Sequence, residues 1–332
     1  MSPTKTDGNK MAEQLFLFED RLTLLNRGLL DLTRLNLEEA KAAFERYKAL
    51  YRDENEVEAE LQVAEFFSKG FADAPEPRSE APAYLCGLWE SFENWTQSAR
   101  YDRENIVSEI KTSFFRKMLE VIAECNMTDT AFLSDSIPTG YVYIQVGKYD
   151  LAIKALQSCI PERPHDAAIY GYLGDAYMLR GEPGVARQCY LEACLIDPPG
   201  IDWYHIKDSA LLQLKDEVFR QHKPDHSLAV EWLPSHACIQ ELFPPKKLKL
   251  NQGIKEFVDE YLRLRKALLK RPSPKLKARL FFRGIILCNN EPLLRFVKGI
   301  NFIGVRRQMK EVNPVLFSKY LRCVAAGEPY RS

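Results

Sequence analysis

The chain has 332 residues, of which 46% are apolar, and its 46 Lys and Arg balance its 46 Asp and Glu. This apolar fraction, which includes 18 Phe and 15 Tyr, excludes a mainly disordered chain. No segment approaches 18 uncharged apolar residues, so a membrane-spanning helix is excluded and no membrane contact is expected. The apolar run at residues 15–18 is too short, and its flanks too acidic, for a signal peptide. Eight cysteines without a Cys-x-x-Cys pair predict reduced thiols in a cytoplasmic protein.

The N-terminal third begins with a polar stretch, and we predict that residues 1–10 are disordered. Residues 21–54 then carry small and large apolar side chains at spacings that recur further along the chain. The shared positions are Leu24, Gly28, Ala40, Phe44 and Tyr47. The segment departs from the later copies at Asp31, where they carry an aromatic residue, and at Leu35, where they carry a turn glycine. We interpret it as a degenerate repeat.

Residues 55–132 show apolar side chains at spacings of three and four, which is typical of amphipathic helices. Such spacing covers 55–72 and 84–125, and an acidic, proline-containing loop separates the two segments. A segment of this length accommodates about two helical hairpins. No run with a period of two indicates a β-strand, so the sequence predicts an all-α fold.

The middle of the chain contains a repeat of 34 residues, in copies near 133–166 and 167–200. The matching pairs are Gly140 and Gly174, Tyr143 and Tyr177, Gly147 and Gly181, Ala152 and Ala186, Leu156 and Tyr190, Cys159 and Ala193, and Pro164 and Pro198. These columns resemble the tetratricopeptide repeat. The second copy matches the family pattern at every signature column, and the first departs from it at Ser136 and Thr139.

The resemblance implies pairs of antiparallel helices that stack into an α-solenoid, because one hairpin cannot bury its own apolar face. Small side chains at Gly174 and Ala186 allow the two helices to cross closely, and Gly181 permits the positive φ that ends the first helix. We therefore assign residues 11–221 to one helical-repeat domain. Residues 202–221 are expected to form a helix that caps the repeats.

In the tetratricopeptide family, first-helix positions line a concave groove that holds a peptide or helix. Carried over column by column, the resemblance implies a partner-binding groove made of Ile137, Tyr141, Ile144, Gln145, Tyr172, Asp175, Met178 and Leu179. Chaperone-binding members use Lys and Asn at two of these columns to hold a carboxylate, and this chain has neither there. The groove is thus suited to an apolar segment of another protein. The alternative is that this face packs against the protein's own helices.

The last third is basic. Residues 1–200 hold 21 Lys and Arg against 33 Asp and Glu, whereas residues 201–332 hold 25 against 13. We predict an irregular, proline-rich linker at 222–250 and a basic helical unit at 251–332. The predicted basic surface comprises Lys246, Lys247, Lys249, Arg265, Lys266, Lys275, Lys277 and Arg279. Such a surface fits nucleic acid or an acidic protein, although attraction to the acidic N-terminal part explains it equally well.

The side chains that could bind a metal cluster late in the chain, at His222, His226, His236 and Cys238. Pro224 prevents the first two histidines from sharing one helix face, and the spacing matches no zinc module, so we expect no metal. No phosphate-binding loop, nucleophile elbow or paired-carboxylate motif occurs. We therefore expect neither a cofactor nor a catalytic residue.

Together these features predict an adaptor or scaffold that binds another protein through its repeats. Two alternatives stay open: a nucleic-acid-associated protein that binds through the basic helices, and a non-catalytic regulatory subunit of an enzyme complex. The inference to protein binding rests on analogy with a family that hosts many functions.

Overall fold

The computed structural model describes residues 21–51, 56–75, 78–128, 132–134, 137–250 and 252–327. The predicted disordered residues 1–10 lie outside these ranges. The described chain is all-helical, as the sequence predicts, and contains no β-strand beyond one isolated bridge between Phe132 and Pro138. It divides into two compact units, residues 1–148 and 149–332, which we call the first and second units. None of the helices in the described ranges has the length and apolar character needed to cross a bilayer.

The first unit contains six helices in its described part. They are α1 (21–33), α2 (Leu37–Tyr51), α3 (Glu58–Ala72), α4 (Ala81–Ser98), α5 (Glu104–Glu124) and α6 (Thr139–Gln145). Helix α3 packs on α2, and α5 packs on both α4 and α6. An aromatic core joins α3, α4 and α5, in which the Phe67 ring lies 4.6 Å from Phe92 and 5.7 Å from Phe114. This density of buried aromatic area holds together helices that match no repeat consensus.

The second unit contains ten helices in its described part. They are α7 (Tyr149–Cys159), α8 (Ala167–Leu179), α9 (Pro183–Ile196), α10 (Ser209–Gln221), α11 (His226–Ile239), α12 (Gln252–Lys270), α13 (Pro274–Asn289), α14 (Glu291–Leu294), α15 (Phe302–Val312) and α16 (Pro314–Gly327). Helices α7, α8 and α9 pack in sequence order, and α10 packs on α11. Helix α13 is the centre of the C-terminal part, because it contacts α11, α12 and α15. Its residues 280–288 are all buried, which explains their nearly continuous apolar sequence.

The α8–α9 hairpin has the close crossing that its small residues predict. A Cβ atom at Gly174 would lie 2.4 Å from a ring carbon of Tyr190, so only glycine permits this approach. The Asp166 carboxylate caps α8 by accepting a hydrogen bond from the Ala168 amide, at 3.1 Å. Gly181 then adopts a φ of +89° where the chain turns towards α9.

Equivalent columns of the three sequence copies have equivalent environments. Gly147 and Gly181, 34 residues apart, adopt φ values of +76° and +89°, and Leu35 at the same column of the N-terminal copy adopts +60°. A Cβ atom at Gly28 would lie 2.5 Å from the Phe44 ring, as Gly174 does with Tyr190. Leu35 therefore takes the backbone conformation that glycine supplies in the other copies, although a leucine is strained there. The side chains at three further shared columns are completely buried; they are Ala40, Ala152, Ala186, Phe44, Leu156, Tyr190, Tyr47, Cys159 and Ala193.

We expect Gly174→Ala to destabilise the second unit by about 1–3 kcal/mol, because the added methyl group overpacks a core that cannot relax. Tyr190 is completely buried and its hydroxyl is hydrogen-bonded, so its ring has no room to withdraw. Gly184→Ala in α9 is the matched control, since a Cβ there meets nothing within 4 Å and alanine favours the helix. Urea unfolding of both variants tests this, and equal stability of the two would contradict the close crossing.

The predicted linker at 222–250 is wrong over residues 226–239, which form the buried helix α11. Asp225 caps this helix by accepting a hydrogen bond from the Leu228 amide, and Pro234 is accommodated within it. Prolines punctuate both ends of the segment and suggested irregular structure, but the apolar side chains between them are core residues. Trp232 and Leu233 are 6% and 0% exposed.

The helix predicted at 202–221 begins later, at Ser209. Its N-cap is Asp208, whose carboxylate accepts hydrogen bonds from the amides of Ala210 and Leu211. Residues 201–208 are irregular, and their course decides what happens to the predicted groove.

Candidate functional site

The predicted groove positions of α8 are buried beneath the chain's own segment 201–208. Tyr172 is 6% exposed and Asp175 only 2%. The Tyr172 hydroxyl donates a hydrogen bond to the Asp202 carboxylate, at 3.0 Å. A Cβ atom at Gly171, on the same helix, would lie 3.3 Å from the side chain of Ile201. The segment therefore covers the face of α8 that was expected to receive a partner.

Asp175 anchors this segment. Its Oδ1 atom accepts hydrogen bonds from the Tyr190 hydroxyl, at 2.6 Å, and from the backbone amide of Lys207, at 2.8 Å. Burial raises the pKa of the Asp175 carboxyl to about 7, although both donors favour the ionised form. One side chain thus links α8, α9 and the returning segment.

Segment 201–208 belongs to the hydrophobic core of the second unit. Ile201, Trp203 and Ile206 are 5%, 7% and 3% exposed, and the Trp203 indole donates to the Pro198 carbonyl at 2.8 Å. Asp208 closes the segment through an ion pair with Arg187, at 2.7 Å. The expectation that Tyr172 and Asp175 line an open groove is therefore wrong. Three large apolar residues after the closing proline of the second copy were the sequence signal for this cover.

The remaining groove positions are divided between buried and accessible side chains. Tyr141 and Ile144 in α6 are 6% and 5% exposed, and the Tyr141 ring packs edge-on against Phe115 at 5.7 Å. The side chains that keep some contact with solvent are Ile137, Gln145, Met178 and Leu179. Leu179, at 38%, is the most exposed of the four, so accessibility is confined to the ends of the predicted columns.

An exposed apolar edge lies beside the last turn of α8. The Arg180 guanidinium reaches the Asp150 carboxylate at 2.9 Å, and this ion pair places Leu179 and Leu151 in neighbouring positions at the ends of two packed helices. Leu151 is 43% exposed. Arg180 also lies over the Tyr177 ring, 5.0 Å from its centroid. Apolar side chains beside a fixed cation are suited to protein contact.

The basic residues predicted as one surface serve two different roles. Arg279 points inward: its guanidinium holds both carboxylate oxygens of Glu231 at 2.7 Å and Asp197 at 2.7 Å. Its assignment to the basic surface is therefore wrong, because a buried acid required a partner. Lys246 forms an ion pair with Glu192 and is half-buried.

The other six predicted cations make no ion pair with any described residue. They are Lys247, Lys249, Arg265, Lys266, Lys275 and Lys277. All are exposed except Arg265, which is half-buried. They retain the positive charge that the sequence indicated.

The histidine and cysteine side chains considered for a metal site are occupied by packing. His222 stacks against Trp232 and His226 packs against Phe219. Burial, with smaller contributions from Lys319 and His222, lowers the pKa of His236 to about 4. Within the described ranges, no group of three or more His, Cys, Asp or Glu side chains is arranged to hold a metal ion.

A cavity of about 690 Å³ lies among α11, α13, α15 and α16, and sequence reasoning did not anticipate it. Its walls include Cys238, Cys288 and the guanidinium of Arg306. Burial raises the pKa of both thiols to about 12, so they stay protonated at neutral pH and are poor nucleophiles. The cavity therefore contributes no reactive thiolate.

Comparison with known proteins gives no relative. No protein-family model matches the chain, and neither a curated protein nor a solved structure matches it. The likeness to tetratricopeptide repeats thus rests on the 34-residue columns alone, and the assignment to a fold class extends to an all-helical protein.

Proposed function

We propose that this protein is a non-catalytic adaptor, built on tetratricopeptide-type repeats, that binds another protein. The observation that carries the proposal is the equivalence of columns 34 residues apart. Gly147 and Gly181 have the same positive φ, and the apolar columns that follow them are buried alike. Helical-repeat arrays of this kind present extended surfaces to partners.

The same turn hydrogen bonds recur in all three copies and support the repeat assignment. The amide of Gly181 donates to Met178, and that of the next residue donates to Tyr177, at 3.0 and 2.9 Å. Bonds of the same spacing join Gly147 to Ile144 and Leu35 to Leu32. Each copy thus ends its first helix by the same motif.

The partner would bind at the exposed edge formed by Leu151 and Leu179, because the central face of α8 is already covered. Leu179 belongs to the predicted groove, and the ion pair of Arg180 with Asp150 fixes the edge beside it. An apolar segment with an acidic residue matches this surface, since the guanidinium is 33% exposed and offers a donor to a carboxylate.

The experiment has two stages. The tagged protein is first purified from its native cells, and its co-purifying protein is identified and produced separately. Isothermal titration calorimetry then compares the wild type with Leu151→Asp and Leu179→Asp, which should each weaken binding about tenfold or more. Tyr204→Asp is the control, because Tyr204 is 91% exposed and lies outside the edge. Absence of a stoichiometric partner, or unchanged affinity in both edge variants, would contradict the proposal.

A further inference from the structure

The strongest uncompensated charge in the described chain lies on the helical hairpin made by α12 and α13. Residues 261–290 contain nine Lys and Arg and no Asp or Glu. The two helices are joined by a three-residue turn and pack against each other. We call residues 263–279 the basic hairpin.

Inward-facing cations account for only part of this charge. Arg279 is held by Glu231 and Asp197, and Arg283, just beyond the hairpin, by Glu260 at 2.5 Å. The cations that stay exposed, with no ion pair to any described residue, are Lys266, Lys270, Arg271, Lys275 and Lys277. Lys275 experiences only a weaker, longer-range attraction from Asp225. Five positive charges therefore project from one turn and its two flanking helix ends.

Folding explains the cations on α12 but not those on α13. Lys270 lies in the last turn of α12, where the helix dipole favours a positive charge. Lys275 and Lys277 lie in the first turn of α13, which has no acidic residue, and there the dipole disfavours them. Their presence costs stability, and an external anion would compensate that cost.

We infer that the basic hairpin binds the phosphate backbone of nucleic acid, without reading its sequence. A dense set of flexible cations is sufficient for phosphate contact. An interface for an acidic protein would need an apolar centre, whereas the one strongly exposed large apolar side chain of the hairpin is Leu269, at 77%. The inference is independent of the proposed adaptor function: the edge at Leu151 and Leu179 belongs to other helices.

Salt dependence is the quantitative signature of this binding. Five neutralised phosphates give a slope of about −3.5 for the logarithm of the association constant of a single strand against the logarithm of salt concentration. Affinity should then fall roughly 100-fold between 50 and 200 mM salt. Fluorescence anisotropy with a labelled 20-nucleotide RNA, and with DNA of the same sequence, measures both quantities. The two probes should bind within about threefold of each other, because only the backbone is contacted.

The test variant changes Lys266, Lys270, Arg271 and Lys277 to Gln together. It should lose at least about tenfold in affinity at 100 mM salt and most of its salt slope. Its unfolding midpoint should not fall, because the changed side chains are exposed and Lys277 opposes the helix dipole. The control changes Lys69, Lys154, Lys298 and Arg307 to Gln, which removes the same charge elsewhere, and should lose no more than about twofold.

Three results would overturn the inference. The first is no binding of either nucleic acid at 50 mM salt. The second is equal affinity of the hairpin variant and the control variant. The third is binding of poly-glutamate as tight as that of RNA, which would assign the hairpin to an acidic protein instead.

Discussion

Arg279→Ala is expected to destabilise the second unit by about 3–5 kcal/mol, because it leaves the Glu231 carboxylate buried without a counter-charge. Glu231 is 1% exposed, and both of its oxygens accept from the Arg279 guanidinium at 2.7 Å. The same guanidinium holds Asp197 at the end of α9. One side chain therefore joins α9, α11 and α13, and its loss affects all three helices. Urea unfolding at pH 7 measures the cost.

Two companion variants make this test specific. Lys277→Ala, one helical turn away on an exposed part of α13, should change the free energy of unfolding by less than about 0.5 kcal/mol. Arg279→Leu combined with Glu231→Leu should recover most of the stability, since an apolar pair removes the uncompensated charge. If Arg279→Ala were as mild as Lys277→Ala, the carboxylate would have to be solvated, contrary to the structure.

Asp175→Asn is expected to abolish a pH dependence of stability that the wild type shows between pH 5 and 8. The pKa of Asp175 is raised by burial to about 7 in the folded protein, against roughly 3.9 when unfolded. Over this range the folded state keeps a proton that the unfolded state has released, so stability falls as pH rises through 7. The contribution amounts to about 2–3 kcal/mol between pH 5 and 8.

The charged and titratable groups that face Asp175 are Tyr190, Lys207 and Asp202. Asparagine keeps an oxygen to accept from the Tyr190 hydroxyl and the Lys207 amide, so the variant removes the charge and retains the acceptor. Asp216→Asn, at an exposed carboxylate of α10, corrects for the general effect of removing one negative charge. Unfolding curves at several pH values decide the matter: parallel pH profiles for the wild type and Asp175→Asn would show that this carboxylate does not titrate in that range.

Local features of the fold could be predicted because local sequence determines them. The close helix crossing requires glycine at 174, the turn requires a positive φ at 181, and Asp166 is a capping residue in the position where caps occur. These constraints act within one hairpin, so a single sequence reveals them. Leu35 shows their limit: the turn is formed there too, although its residue type does not announce it.

Long-range contacts could not be predicted in this way. Asp175 was assigned to a groove because its column faces a partner in the family it resembles, yet Lys207, 32 residues later, returns to cover it. Arg279 was assigned to the surface because its neighbours are basic, yet Glu231 lies 48 residues before it. Neither contact leaves a periodic signature, because each depends on how separate helices are arranged in space.

The central claim is that segment 201–208 fills the face of α8 and leaves partners to bind elsewhere. Native-state hydrogen exchange at the Lys207 amide tests it most directly, because this amide lies outside any helix and donates only to the buried Asp175 carboxylate among its described hydrogen bonds. We predict that its exchange is slowed at least about 1000-fold relative to a free peptide, as for amides that open only with the core. Exchange at the rate of an exposed loop would contradict the claim and restore the α8 face as an open groove.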